Sequence, residues 1–250
     1  MNSSLAGPTS REMSEPPDSV DVMDSWHHHP RAAFDLETTG RDPLEARIVT
    51  ASVLLVDADG TVLEQHEWIA DPGIDIPAEA AAIHGVSTEQ ARREGQPVDR
   101  VVRELAAVLG RLFAAGIPVL AFNARYDFTV LASEGARHSV PVPHPFPVLD
   151  PYIMDKQADR FRRGKRTLTA MCEHYDVVFN NAHTSAADVL ATLQVAAVLA
   201  ERFPHLQHPA GVLHASQVVW AARQAESFQE YLRREDPAAV VEGRWPAIAS

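Results

Sequence analysis

Phe34-Asp35-Leu36-Glu37-Thr38-Thr39-Gly40 is the stretch that most restricts how this chain can fold. It sets two carboxylates one residue apart at the end of a short apolar run. In a strand over residues 31–36, side chains alternate faces, so Asp35 and Glu37 point one way while Phe34 and Leu36 point the other. Like charges at that separation raise each other's pKa unless a divalent cation, basic groups or solvent stabilise the ionised pair. Taken alone, the pair reads as a solvated strand end turning at Gly40.

The rest of the chain supplies a sheet for that strand. Residues 47–57 are rich in β-branched and apolar side chains, and Asp57-Ala58-Asp59-Gly60 turns them into a second such run, 62–69. Together with 32–36 they predict a three-stranded antiparallel meander with a buried middle strand. Ser87 with Gln90 predicts a capped helix start. Val101, Val102, Leu105, Val108, Leu109 and Leu112 recur at helical spacing over 98–115, which predicts a helix packed on the sheet. A buried strand over 117–122, a helix over 124–135 started by Asn123, and a strand at Val148-Leu149 follow. The expected fold class is α/β, with a mixed five-stranded sheet: three antiparallel strands, then two reached through helices.

The flanks read differently. Residues 1–25 are polar and contain prolines, as in a disordered leader closed by Trp26. His27-His28-His29 reads as a solvated entry segment, because three adjacent imidazoles converge poorly on one ion. Residues 26–203 form the expected main domain and 204–236 a helical extension, with a helix over 212–234 packing on the core or on a second subunit. Residues 237–250 read as a loose tail. The single cysteine, Cys172, excludes an intramolecular disulfide and suits a reducing compartment. With no membrane-length apolar run and no signal-peptide pattern at the start, the expectation is a cytoplasmic protein. A formal net charge of −12 argues against coating long nucleic acid, a mode that needs a broad basic surface, but not against gripping a strand end.

Two further stretches change the meaning of the acidic pair. Asn123-Ala124-Arg125-Tyr126-Asp127 and His183-Thr184-Ser185-Ala186-Ala187-Asp188 follow it in order. The three together resemble the motifs of the DEDDh 3′→5′ exonucleases, the proofreading-exonuclease branch similar to the epsilon subunit of DNA polymerase III within the ribonuclease H-like superfamily. The resemblance covers residues 32–202 and carries the whole reactive set. It implies a ribonuclease H-like fold and an enzyme that hydrolyses the terminal phosphodiester of single-stranded or frayed DNA 3′ ends, releasing nucleoside 5′-monophosphates. It also implies two divalent cations, Mg2+ or Mn2+, about 4 Å apart. Asp35, Glu37 and Asp188 would hold the first, Asp35 would bridge to the second, and Asp127 would support the second through water.

His183 would act as general base, since an unperturbed imidazole titrates near pH 6.5. Leu36, Thr38, Thr39, His84 in Ile83-His84-Gly85, and Asn123 are the implied contacts to the terminal nucleotide. Arg162, Arg163, Lys165 and Arg166, clustered around Gly164, are candidates for phosphate contact or simply a solvated face. Capping and dipole effects alone also account for Asp127 and Asp188 at helix starts. The resemblance implies roles in DNA replication, repair and proofreading, and association with a DNA polymerase. Trimming of RNA ends is the alternative activity, and a catalytically silent nucleic-acid-binding or polymerase-associated module is the alternative from another class.

Overall fold

The computed structural model describes residues 24–179 and 184–248. Strand β1 (Arg31–Thr38) pairs antiparallel with β2 (Ile48–Val56), which pairs antiparallel with β3 (Val62–Asp71). On its other side β1 pairs parallel with β5 (Val119–Leu120), and β5 with β6 (Val148–Leu149). A two-residue strand β4 (Gln96–Pro97) joins β3, giving six strands in the order β4-β3-β2-β1-β5-β6. The expected sheet had five. The extra strand is too short to show a period of two, and Pro97, lacking an N–H, fits only an edge.

Helices cover both faces: α1 (Ala78–His84), α2 (Thr88–Glu94), α3 (Val98–Ala114), α4 (Arg125–His138), α5 (Pro151–Ala158), α6 (Leu168–His174), α7 (Ser185–Arg202) and α8 (Ala210–Leu232). Ser87 caps α2 by accepting the Gln90 N–H, as expected. Gly85 ends α1 with φ of 79°, a left-handed conformation that glycine adopts without a Cβ penalty. The apolar stripe of α3 is buried through Val101, Val102, Leu105, Leu109 and Leu112, each side chain contributing about 1.5–3 kcal/mol relative to exposure.

The alternation along β1 decides where the acids emerge. Ala32, Phe34 and Leu36 enter the core shared with α3 and α4, whereas Ala33 enters the core shared with α6 and α7. Asp35 and Glu37 therefore lie on the α7 side of the sheet. Trp26 closes the start of the described chain, fully buried, with its indole N–H donating to the Leu206 carbonyl at 3.1 Å. His28 and His29 are exposed, and burial holds the His27 imidazole down at about 4. The expected leader lies outside the described residues apart from its last two positions. No described helix is long and apolar enough to cross a membrane.

α8 packs on the core through Leu213 and Trp220, while Val218, Phe228 and Tyr231 are exposed, and what the helix does there was not foreseen. β6 is an outer strand with unpaired backbone groups on its free side. The His214 imidazole accepts the Val148 N–H at 3.0 Å, and Gln217 accepts the Asp150 N–H at 2.7 Å. Two side chains of α8 thus take the place of a further strand.

The expectation of a loose tail is corrected over its described part, residues 237–248. Trp245 is 7% exposed and packs in the α3–α4 core, and the Ile248 N–H donates to Thr129 Oγ1 at 2.9 Å. One large indole seated in a core outweighs the weak helical and strand propensity around it.

Candidate active site

Each acid is delivered by a different local device. β1 presents Asp35 and Glu37 on one face, opposite Ser52 and Thr50 of β2. The α7 helix is pinned over that face by its first residue: Ser185 Oγ lies 2.8 Å from Ser52 Oγ and 3.2 Å from Thr50 Oγ1. Thr184 caps α7 by accepting the Ala187 N–H, so Asp188 falls in the first turn, directed back at β1. Carboxylate oxygens of Asp35, Glu37 and Asp188 all lie within 4.8 Å of one another.

Asp127 reaches the same place from the first turn of α4, and its Oδ1 accepts the Leu36 N–H at 3.1 Å. This bond ties α4 to β1 between the two acids. The four expected carboxylates therefore converge: three offer oxygens to a common point, while Asp127 stands beside them with one oxygen on the backbone.

Their electrostatics show what the cluster requires. Burial, then the charges of Asp127, Asp188 and Glu37, push the Asp35 carboxyl well above the usual range. Glu37 is pushed up to about 8 by burial and Asp188. Asp127 is raised chiefly by burial, against the opposing pull of the Leu36 N–H. Without counter-charge Glu37 holds its proton at neutral pH and the ionised forms of Asp35 and Asp127 are disfavoured; a divalent cation among their oxygens offsets the repulsion and favours ionisation. An all-oxygen donor set of this kind fits a hard cation.

A cavity of about 470 Å3 opens beside Glu37, lined by Leu36, Thr38, Thr39, Ile83, His84 and Tyr126 among others. The Leu36 side chain is mostly core, whereas Thr38, Thr39 and His84 line the cavity. Thr38 Oγ1 donates to the Gly40 carbonyl at 2.9 Å, and Thr39 Oγ1 accepts the Arg47 N–H at 3.0 Å, so both hydroxyls shape the turn. The Tyr126 hydroxyl joins Thr38 and the Gly40 carbonyl, and burial pushes its pKa up to about 12. His84 accepts the Val86 N–H on Nδ1, and burial lowers its pKa.

Three expectations are changed or left open. Asn123 does not cap α4: it is exposed, adopts φ of 60°, and its own N–H needs an acceptor. The buried carboxylate of Asp150 supplies that acceptor, taking the Asn123 and Ala124 N–H groups at 3.0 Å each. The Arg162 and Arg166 guanidiniums are not free for phosphate, because both pair with the fully buried Asp155, at 3.1 and 2.6 Å. The Tyr175 hydroxyl donates to the same carboxylate at 2.5 Å. Arg163 and Lys165 remain exposed. His183 lies outside the described residues.

Sequence reasoning missed Asp150, Ser52 and Ser185. Asp150 carried a local signal, an N-cap acid directly before the helix-starting Pro151. Its reach to residues 123 and 124 is tertiary and had none.

No curated protein matches the chain. Among solved structures, one of exonuclease I superposes with a TM-score of 0.61 at 20% identity, over 71% of this chain and 42% of that one. Escherichia coli exonuclease I in complex with a dT13 oligonucleotide gives 0.58 at 19%, over 71% and 42%. Its zinc-bound complex with single-stranded DNA gives 0.60 at 19%, over the same shares. At such identities the likeness establishes the ribonuclease H-like fold, and the chain spans well under half the length of these relatives. The RNase_T exonuclease family model matches residues 32–196, a span that takes in the β1 acids, the start of α4 and the α7 aspartate. With those acids gathered at one end of that fold, the chain belongs to the RNase_T exonuclease family.

Proposed function

We propose that this protein is a metal-dependent 3′→5′ exonuclease that shortens single-stranded or frayed DNA ends and releases nucleoside 5′-monophosphates. The observation that carries the reading is the meeting of Asp35, Glu37 and Asp188 oxygens within 4.8 Å. Three acids from a strand and a distant helix, all raised in pKa or adjoining raised groups, cost stability unless they serve a cation. Magnesium or manganese, when bound, would neutralise charge on the phosphate and the leaving 3′ oxygen and lower the pKa of the attacking water.

The chain's own residues do the rest. Asp35, Glu37 and Asp188 would hold the cations, and Asp127, anchored on the Leu36 N–H, would support them. The cavity beside Glu37 would take the terminal nucleotide, with Thr38, Thr39 and Tyr126 forming one wall and His84 another. His183, five residues before Asp188, would take the proton of the attacking water on its ring nitrogen. DNA is preferred over RNA because exonuclease I, which shares the fold, is seen with oligodeoxynucleotides.

End-labelled DNA and RNA oligonucleotides, incubated with magnesium, manganese or chelator and sized over time, test the proposal. Single-nucleotide shortening from the 3′ end of DNA, abolished by chelator and by Asp35→Ala, is expected. His183→Ala should slow it by about 10²–10⁴-fold. Full activity in Asp35→Ala, or faster loss of RNA than of DNA, would refute the corresponding part.

A further inference from the structure

Away from the carboxylates, a second cavity of about 180 Å3 lies between α5, α8 and the C-terminal segment. Arg125, Tyr152, Lys156, Phe228, Glu242 and Trp245 are among its walls. Its charges are unbalanced. The Lys156 ammonium sits 4.8 Å from the centre of the Tyr152 ring and makes no hydrogen bond or ion pair with any described residue. Arg125 donates to the backbone carbonyl of Glu242 and pairs with no carboxylate among the described residues.

The acids nearby are occupied. Glu242 pairs with Arg244 at 2.7 Å. Asp150 accepts three backbone N–H groups and the Trp245 indole. Burial, Arg166 and Arg125 all lower the Lys156 pKa, with only Asp150 opposing. In a chain of net charge −12, two unneutralised cations beside aromatic rings are poorly placed for stability and well placed for an anionic ligand with a flat apolar part.

The location narrows the ligand. Arg125 and Asp127 lie two residues apart in the first turn of α4, about 200° around the helix. The cavity and the carboxylate cleft therefore flank the same helix end, and a strand bound by its terminus at one can pass over that end to the other. We propose that this cavity is a second nucleotide subsite, holding a phosphate on Lys156 and Arg125 and a base against Tyr152 and Phe228. It rests on the exonuclease reading. The nucleotide it takes is an internal unit of the bound strand; the released mononucleotide carries the same chemistry and is the other source. Phe228, Glu242 and Trp245 lie beyond residue 196, where the family match ends, so the subsite is an addition to the family domain.

Fluorescence anisotropy with 5′-labelled oligo-dT of two and twelve nucleotides, in chelator so that nothing is cut, tests it on the full chain. Lys156→Gln should weaken binding of the 12-mer about tenfold, the loss of one charge-assisted contact, and leave the dinucleotide unchanged. Lys156→Arg should retain binding, and Phe228→Ala, at an exposed ring, should weaken the 12-mer without unfolding the protein. Competition by dTMP separates the sources: dTMP binding lost in Lys156→Gln with the 12-mer unaffected assigns the site to the free product and overturns the strand assignment. Equal affinity of Lys156→Gln and wild type for all three ligands overturns the subsite. Hydrolysis with magnesium is scored separately. A wild type that binds the 12-mer through Lys156 but never shortens it refutes the exonuclease reading and leaves the subsite standing.

Discussion

Replacing Asp150 with asparagine should change how stability depends on pH, in a direction the structure specifies. The Asp150 side chain is fully buried, and burial raises its pKa from an ordinary 3.8 to about 6, against four hydrogen bonds that favour the ionised form. Between those two values the native protein binds more protons at this site than the unfolded chain, so its contribution to stability falls as pH rises from about 4 to about 6 and is level above that. At about 1.4 kcal/mol per pH unit, the displacement corresponds to a loss of about 3 kcal/mol. The amide of the Asp150→Asn variant would not titrate. The stability of the variant relative to wild type should therefore move by about 3 kcal/mol in its favour between pH 4 and pH 7.5, whatever the offset from altered hydrogen bonding. Urea unfolding of both proteins across that range, in chelator, measures the difference, and carboxylates common to both largely cancel. A gap that is constant with pH, or that moves against asparagine, would refute the reasoning. Asp150→Ala, which removes every acceptor and likewise cannot titrate, should cost most near pH 4 and about 3 kcal/mol less at pH 7.5.

Chelated wild-type protein should itself lose stability as pH rises from about 4.5 through about 8, because the Glu37 pKa is raised in the fold. Added magnesium or manganese should then raise Tm more at pH 8 than at pH 6, and equal shifts would count against a cation on these acids. Asp155→Ala should destabilise by about 3–5 kcal/mol in urea, since it leaves the Arg162 and Arg166 guanidiniums without their buried partner. A cost below about 1 kcal/mol would mean that solvent replaces that carboxylate. Trp245→Ala should cost about 3–5 kcal/mol, and an unchanged urea midpoint would remove the indole from the core.

What could be read from the chain followed the reach of each interaction. The β1 acids were legible because a period of two puts 35 and 37 on one face, and the α3 stripe because 101, 105, 109 and 112 recur at helical spacing. The convergence of Asp127 and Asp188 was legible only through motif resemblance, since no local pattern links residue 35 to residue 188. The arginine cluster was hard to read because a run of cations does not name its counter-ion: Asp155 lies in the preceding helix, seven and eleven residues before the arginines it pairs with. Likewise Trp245 lies in a stretch without periodicity, and the partners that bury it, Asp150 and His214, are distant in the sequence. Gln217 and His214, one turn apart on α8, gave no hint that they serve the backbone of a strand nearly seventy residues earlier.

That arrangement bears on how the protein can be cut down for study. An expressed fragment limited to residues 32–196 would keep all four converging acids and look complete by motif. It would also strip β6 of the imidazole and amide that quench its outer rim, leaving Val148 and Asp150 amides ready to stitch onto another molecule's strand. Such a piece should clump at concentrations where the whole chain stays dispersed.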